Sequence, residues 1–334
     1  MFAHAFAPCR IGIAGGGTDL PAWTKDRTGF CLNLAIQVYT HAFAIIRPDG
    51  LVVASYSQRD VAQSATEIAN GLIRESALLH GLLDGFEVHI ASEMTSKGSG
   101  LGVSSSIAVA LAACFARLAA PTPRFFGPGK LVDDHAISWS SSEAFTCAKE
   151  AWIVEIDRLQ RPIGRQDHMA AAFGGLRLYR FEGDTAAVEK TFSVEDAAWV
   201  ARHLLVVPLE GGHDARQILK QVRDPLQLDH AMEAVGIARG AVEGRSAAEL
   251  GRALGLGHAS KRLIPGAVSE GIDTVVTRIE GCRGITGVKV AGAGGGGHLI
   301  AACEADAEVA QIGLLQETGI AAFTGASGGT WAMP

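Results

Sequence analysis

The sequence predicts a mixed α and β fold in two domains, and three observations carry that expectation. At 334 residues the chain can hold one large domain or two, each with its own core, and we expect two. Segments that alternate apolar and polar residues, as strands do, give way to longer helical runs. One window, Lys97 to Cys114 (KGSGLGVSSSIAVALAAC), runs from a strand into a helix through a glycine loop.

Bulk composition narrows the class. The apolar share is 48% and the mean hydropathy +0.21, with no run long enough to span a bilayer. The first residues (MFAHAFAPCRIGIAGG) lack the basic segment and uninterrupted apolar core of a signal peptide. A net charge of −6 without a basic run argues against nucleic acid as the main partner. The six cysteines (9, 31, 114, 147, 282, 303) are scattered and read as reduced core thiols. A cytoplasmic enzyme acting on a small molecule is expected, as monomer or homodimer, with no membrane partner.

Residues 2–14 read as a strand that ends in Gly15-Gly16-Gly17-Thr18-Asp19. The glycines let the backbone approach a ligand and Asp19 presents a carboxylate there; a plain β-turn is the alternative. Phe30–Ile36, Tyr39–Ile46 and Leu51–Ser57 are further strand candidates, with a hairpin turn at Pro48-Asp49-Gly50. A helix over Ala69–Leu83 precedes a strand at Phe86–Ala91 (FEVHIA). The loop then brings glycines at 98, 100 and 102 and serines at 104, 105 and 106 to the start of an apolar helix. Unpaired N–H groups and the positive end of the dipole face that loop, so phosphate is the expected guest. It is no Walker loop, since Val103 and Ser104 follow Gly102 where Lys and Ser or Thr are required. A structural Gly–Ser turn is the bland alternative.

The Pro- and Gly-rich residues 120–130 form a connection. A helical pattern from Lys130 to Leu159, broken near Ser138–Ser142, carries Glu143, Glu150 and Glu155. Glu155 lies in its last turns beside Asp157, where a carboxylate gains nothing from the dipole, so either a cation is near or the group is solvated. Asp167 reads as a helix N-cap, as a general base held at a helix start, or as both. His168 has no partner at ligand spacing and reads as structural. A strand at 176–182 and a charged stretch at 182–190 that could mark a boundary follow, then a strand at His203–Leu209, a helix after Arg216, and two or three helices over 225–283. Gly292, Gly294 and Gly297 satisfy G-x-G-x-x-G, but short apolar segments flank them and no acid follows Glu317. The pattern is strand, glycine turn, strand, so the dinucleotide reading fails.

Three motifs in this order, Arg10–Leu20 (RIGIAGGGTDL), Gly98–Ala108 (GSGLGVSSSIA) and Val290–His298 (VAGAGGGGH), resemble those of the GHMP kinases. GGGTDLP together with IGRQDHMAAAFGG is similar to the sugar kinases of the D-glycero-D-manno-heptose 7-phosphate kinase type, which typically read GGGTDLP and IGKQDQYAAAFGG. The resemblance spans nearly the whole chain. It implies a two-domain α+β fold: a ribosomal protein S5 domain 2-like N-terminal domain (1–190) carrying the phosphate loop, and a ferredoxin-like C-terminal domain (191–334). ATP, Mg²⁺ and a sugar or sugar phosphate would meet between them. Carried over by position, Lys97, Gly98, Ser99, Gly100, Leu101, Gly102, Val103, Ser104, Ser105 and Ser106 would bind ATP. Ser104 and Glu155 would bind Mg²⁺. Asp167 would take or orient the acceptor proton, with Arg10 beside it at the transferred phosphoryl. Gly16, Gly17, Thr18, Asp19, Asp167, Arg216, Gly295 and Gly296 would bind substrate.

The residue types suit the chemistry. Phosphoryl transfer asks for positioning and for positive charge around the moving group. Mg²⁺ takes a few oxygen ligands and keeps waters, and Arg10 offers a planar fork to phosphate. An Asp beside cations stays ionised and is a weak base, so orienting the hydroxyl matters more than removing its proton. Val103 departs from the usual first loop serine, and His168 and His213-Asp214 from the usual Gln and Thr-Gly, which leaves the exact sugar open. Fucose, galactose or arabinose are alternative acceptors. A non-catalytic sugar sensor and a phosphorylating decarboxylase are alternative functions, against which the joint presence of Ser104, Glu155, Asp167 and Arg10 and the polar GGGTD cluster argue.

Overall fold

A computed structural model of the chain describes residues 2–94, 98–119, 141–209, 215–222, 225–304 and 306–324. In chain order the elements are β1 (Phe2–Ala14), α1 (Pro21–Thr24), β2 (Gly29–Ile46), β3 (Val52–Ser55), β4 (Arg59–Ala62), α2 (Gly71–Leu79), β5 (Phe86–Ser92), α3 (Val103–Leu118), α4 (Ser141–Trp152), α5 (Gln166–Phe173), β6 (Leu176–Glu182) and β7 (Thr185–Thr191). There follow α6 (Val194–Arg202), β8 (Leu204–Pro208), α7 (Ala215–Leu219), α8 (Asp229–Gly244), α9 (Ala247–Arg262), α10 (Glu270–Glu280), β9 (Ile285–Val290), β10 (His298–Cys303), α11 (Ala307–Thr318) and β11 (Phe323–Thr324). The first seven strands form one sheet, ordered β4-β3-β5-β2-β6-β7 with β1 on β2; the last four form a second, ordered β11-β8-β10-β9.

β2 is the spine of the first sheet. Two strands were expected here, but nothing between Ile36 and Tyr39 breaks the chain, and Val38 is buried. One edge of β2 takes β1 along its length; the other takes β6 over Gly29–Leu34 and β5 over Thr40–Ile46. The turn at Pro48-Asp49-Gly50 is present but does not close a hairpin, because β3 pairs parallel with β5 and not with β2. The helix expected over 69–83 is shorter. The Asn70 side chain accepts from the Ile73 N–H and so starts it at Gly71, and Leu79 ends it. The charged stretch at 182–190 covers the end of β6, a turn and most of β7, which pairs antiparallel with β6.

β1 changes character along its length. Its outer half alternates exposed and buried residues, while Cys9, Arg10, Ile11, Ile13 and Ala14 are all buried where the strand passes under the second sheet's helices. One apolar core runs from Ile11, Ile13 and Leu32 through Ala234, Ala238 and Leu254 to Val206 and Ile300, tying the two sheets together. α3 packs its Ala- and Val-rich faces against β1 and β2 as the helix that the sequence predicts. β9 and β10 are antiparallel neighbours across the glycine turn, which confirms strand–turn–strand. All six cysteines are buried and unbridged. Among the described residues no helix is long and apolar enough to cross a membrane.

Candidate active site

A cleft of about 350 Å³ opens where the C-terminal end of β1, the phosphate loop and α5 face α9, β9 and the glycine turn. The loop is built as its glycines suggest: Gly98, Gly100 and Gly102 have φ of +73°, +74° and +77°, and Gly102 leads straight into α3. The glycine turn lies against it. A Cβ on Gly292 would sit 2.7 Å from the Gly100 Cα, and one on Gly297 1.9 Å from the Gly98 carbonyl oxygen. Only bare backbone permits that seam. The His298 imidazole nitrogen meets the Ser99 carbonyl at 2.8 Å and fastens it.

Arg10 is aimed into this seam by a shift in register. The β1–β2 ladder is irregular between Pro8 and Arg10, and beyond it the Arg10 N–H donates to the Leu101 carbonyl at 2.9 Å. Its guanidinium forks onto Asp167, Nε to Oδ1 and Nη2 to Oδ2 at 2.8 Å each, and Nη1 donates to the Gly100 carbonyl at 2.7 Å. Such two-pronged pairs fix orientation as well as charge. Asp167 stands in the first turn of α5, which begins at Gln166 with Arg165 in the cap position and no side-chain cap. The cap reading of Asp167 is therefore corrected: its carboxylate serves Arg10.

Glu155 is fully buried, which removes the solvated reading and leaves the cation. It sits in a π-helical turn, Ile153–Arg158, that continues α4 and swings the side chain under the loop. Ser104 Oγ donates to its Oε1 at 2.7 Å and Ser105 Oγ to its Oε2 at 2.8 Å. His168 Nε2 meets Oε2 at 2.8 Å, and Arg161 Nη1 contacts both Oε1 and, at 2.9 Å, Ser104 Oγ. Burial alone would raise this carboxyl, but the hydrogen bond and charge of His168, then Arg161 and Ser104, outweigh it and hold it down to about 2. These partners favour its ionised form.

Asp19 is 2% exposed and is held by the Gln166 N–H at 2.9 Å, the Gln166 amide Nε2 at 2.8 Å and the Gly17 N–H at 3.2 Å. Burial pushes its carboxyl up, against those hydrogen bonds. Gly164 makes the approach possible, since a Cβ there would lie 1.9 Å from Asp19 Oδ2. Gly16 and Gly17 line the cleft beside it, and so does Arg216 of α7.

Several expected residues stand back from the cleft. Thr18 is buried with its hydroxyl on the Gly15 and Phe30 carbonyls, where it sets the turn. Ser106 bonds Ala7 and Thr40, Leu101 is core, and Gly295 and Gly296 do not line the opening. Lys97 lies outside the described residues, as do 120–140 and 210–214. In the other direction, the structure brings in Gln166, Arg161, Lys261 and Lys289, which no local pattern singles out, and gives the "structural" His168 a direct bond to Glu155.

Residues 238–321 match the family model "GHMP kinases C terminal". The D-glycero-alpha-D-manno-heptose 7-phosphate kinase of Campylobacter jejuni is 26% identical over 317 residues, covering 87% of this chain and 86% of that one. Among solved structures, a D-glycero-D-manno-heptose 1-phosphate kinase from Bacteroides thetaiotaomicron has a TM-score of 0.72 at 18% identity, covering 97% and 95% of the two chains. Lactococcus lactis galactokinase with galactose follows the same fold with a TM-score of 0.69 at 17% identity over 96% and 92%. At those identities the two structures speak for the fold alone. The C-terminal family match, the curated relative and the shared fold together make this chain similar to the GHMP kinases, phosphotransferases with an alcohol group as acceptor.

Proposed function

We propose that the chain is an ATP-dependent sugar kinase that moves the γ-phosphoryl group of ATP to a hydroxyl of a sugar phosphate, with D-glycero-D-manno-heptose 7-phosphate as the candidate acceptor. The observation that carries the reading is the Arg10–Asp167 fork hung directly on the Gly100 carbonyl of the phosphate loop. That fork supports a role for Asp167 in orienting the acceptor and for Arg10 in binding phosphate, since the two are held as one unit beside the loop expected to carry the triphosphate. Asp19, presented on Gln166 beside Gly16 and Gly17, is suited to sugar hydroxyls. Arg216, on the cleft wall, is suited to the acceptor's own phosphate. The curated relative's heptose phosphate substrate supports this choice of acceptor. We place the domain division at residue 190, supported by β7, the last strand of the first sheet, ending at Thr191.

The residues fit Mg²⁺. Ser104 Oγ and the ionised Glu155 Oε1 are hard oxygen donors, and they already share one cationic nitrogen, Arg161 Nη1. Among the described residues there is no cluster of three or more carboxylate, His or Cys ligands, as suits a metal held mostly by nucleotide phosphates. When bound, the ion would neutralise charge on the phosphates. The chain's own part is to cradle the phosphates in backbone N–H groups, orient the acceptor hydroxyl at Asp167, and keep Glu155 ionised through His168.

ADP release with Mg-ATP tests the reading against heptose 7-phosphate, mannose, galactose, fucose, arabinose, homoserine and mevalonate. Turnover on the heptose phosphate is expected. Turnover on homoserine or mevalonate alone overturns the sugar assignment. No turnover on any, with sugar binding still seen by thermal shift, makes the chain a sugar binder and not a kinase.

A further inference from the structure

The cleft holds more positive charge than the roles above use. Arg10 is answered by Asp167 and Arg161 by Glu155. Two lysines have no such answer among the described residues. Lys261, in the last turn of α9, donates to the Gly292 carbonyl; Lys289, on β9, donates to the Ile13 carbonyl at 2.8 Å. They are 8% and 4% exposed, both line the cleft, and each hydrogen-bonds one backbone carbonyl among the described residues. An ammonium has three donors, and burying it against a single carbonyl is unfavourable unless an anion completes the site. The electrostatics agree. Burial, then Arg10, pull Lys261 down to about 8 while Asp167 acts the other way, and burial, then Lys261 and Arg10, lower Lys289 well below the ordinary lysine value.

Position says which anion. Lys261 holds the carbonyl of Gly292, the residue whose backbone meets Gly100, and Arg10 Nη1 holds the carbonyl of Gly100 itself. The two cations therefore hang from opposite sides of one seam, with Asp167 acting on both. A phosphate chain lying along the loop would end near them. The acceptor's own phosphate would lie toward Arg216, on a different element.

We propose that Lys261 is a catalytic residue that binds the terminal phosphoryl group of the nucleotide at this seam. The proposal rests on the kinase reading. The bond from the γ-phosphorus to the β,γ-bridging oxygen breaks, and its electrons leave with ADP. The new bond forms to the acceptor oxygen, whose proton is released toward the Asp167 carboxylate. Lys261 gives and takes no proton; its charge follows the transferring oxygens.

The test is calorimetric titration of the full chain, with Mg²⁺, using ADP and the non-hydrolysable β,γ-imido analogue of ATP. Lys261→Met should bind ADP within about two-fold of wild type and lose about ten-fold or more in affinity for the analogue. Lys261→Met should also melt higher than wild type, because an incompletely paired buried ammonium has been replaced by an apolar chain of similar length. Lys261→Arg, which keeps the charge, should recover part of the analogue preference. Equal losses for both nucleotides with a lowered melting temperature would make the residue structural and overturn the proposal. Unchanged nucleotide affinities with a raised KM for the sugar phosphate would move it to the acceptor's phosphate, which also overturns it. None of these titrations needs a sugar, so an acceptor panel that fails while the analogue preference holds refutes the sugar assignment and not Lys261.

Discussion

Glu155→Gln isolates the buried network under the phosphate loop. The native carboxylate takes four contacts: Ser104 and Arg161 on Oε1, Ser105 and His168 on Oε2. An amide keeps one oxygen, so two of these donors face an N–H₂ group instead. At about 1.5–3 kcal/mol for each hydrogen bond to a charged group, the loss is about 3–6 kcal/mol. Proton linkage gives a similar figure. The carboxyl falls from an ordinary 4.5 to about 2, which at ~1.4 kcal/mol per unit is about 3 kcal/mol of native stability. A depressed folded-state value means that this stability is fully present above the unfolded value and is lost as pH falls toward the folded one. The window therefore runs from 4.5 down to about 2, with roughly half the contribution gone near pH 3. Urea unfolding of wild type and variant at pH 7, 4 and 3 measures it. The variant should unfold at markedly lower urea at pH 7, and the gap should narrow as pH falls. A gap below about 1 kcal/mol at pH 7, or one that does not change with pH, would refute the network as described.

Other perturbations bear on the same cleft. Arg161→Ala removes the cation shared by Ser104 Oγ and Glu155 Oε1; divalent binding followed by Mn²⁺ paramagnetic resonance should tighten several-fold, and no change would deny that the two cations compete. Gly164→Ala places a Cβ 1.9 Å from Asp19 Oδ2 and must push that carboxylate off Gln166. Overpacking of this kind costs about 1–3 kcal/mol, and the KM for the sugar should rise by about ten-fold while that for ATP holds. A parallel rise in both would place Asp19 outside the acceptor site.

The site was legible where chemistry lies in contiguous residues. The loop's glycines and serines, the Asp19 turn and the Asp167 segment each carry a local pattern, and their order along the chain carries the family resemblance. What a single stretch cannot show is which distant residues meet. Asp167 reads equally well as a cap until Arg10, 157 positions away, is seen to claim its carboxylate. His168 looked structural because its partner lies on a different helix. Lys261 looks like any lysine in a last helical turn, where the dipole welcomes one, and only the packing of α9 against the glycine turn turns it into the cleft. The same limit governed the fold. β2 and the shortened α2 follow from tertiary pairing and a side-chain cap, whereas the buried α3 and the strand–turn–strand at 285–303 were plain from composition.

Asp167→Asn tests the centre of the account most directly. The amide nearly matches the carboxylate in shape, still accepts from Arg10, and changes only the charge and one acceptor at the proposed transfer point. Steady-state ADP release should fall by about 10²–10⁴-fold while affinity for the β,γ-imido analogue stays within about three-fold. Turnover close to wild type would contradict the account and leave the Arg10–Asp167 pair as a structural tie.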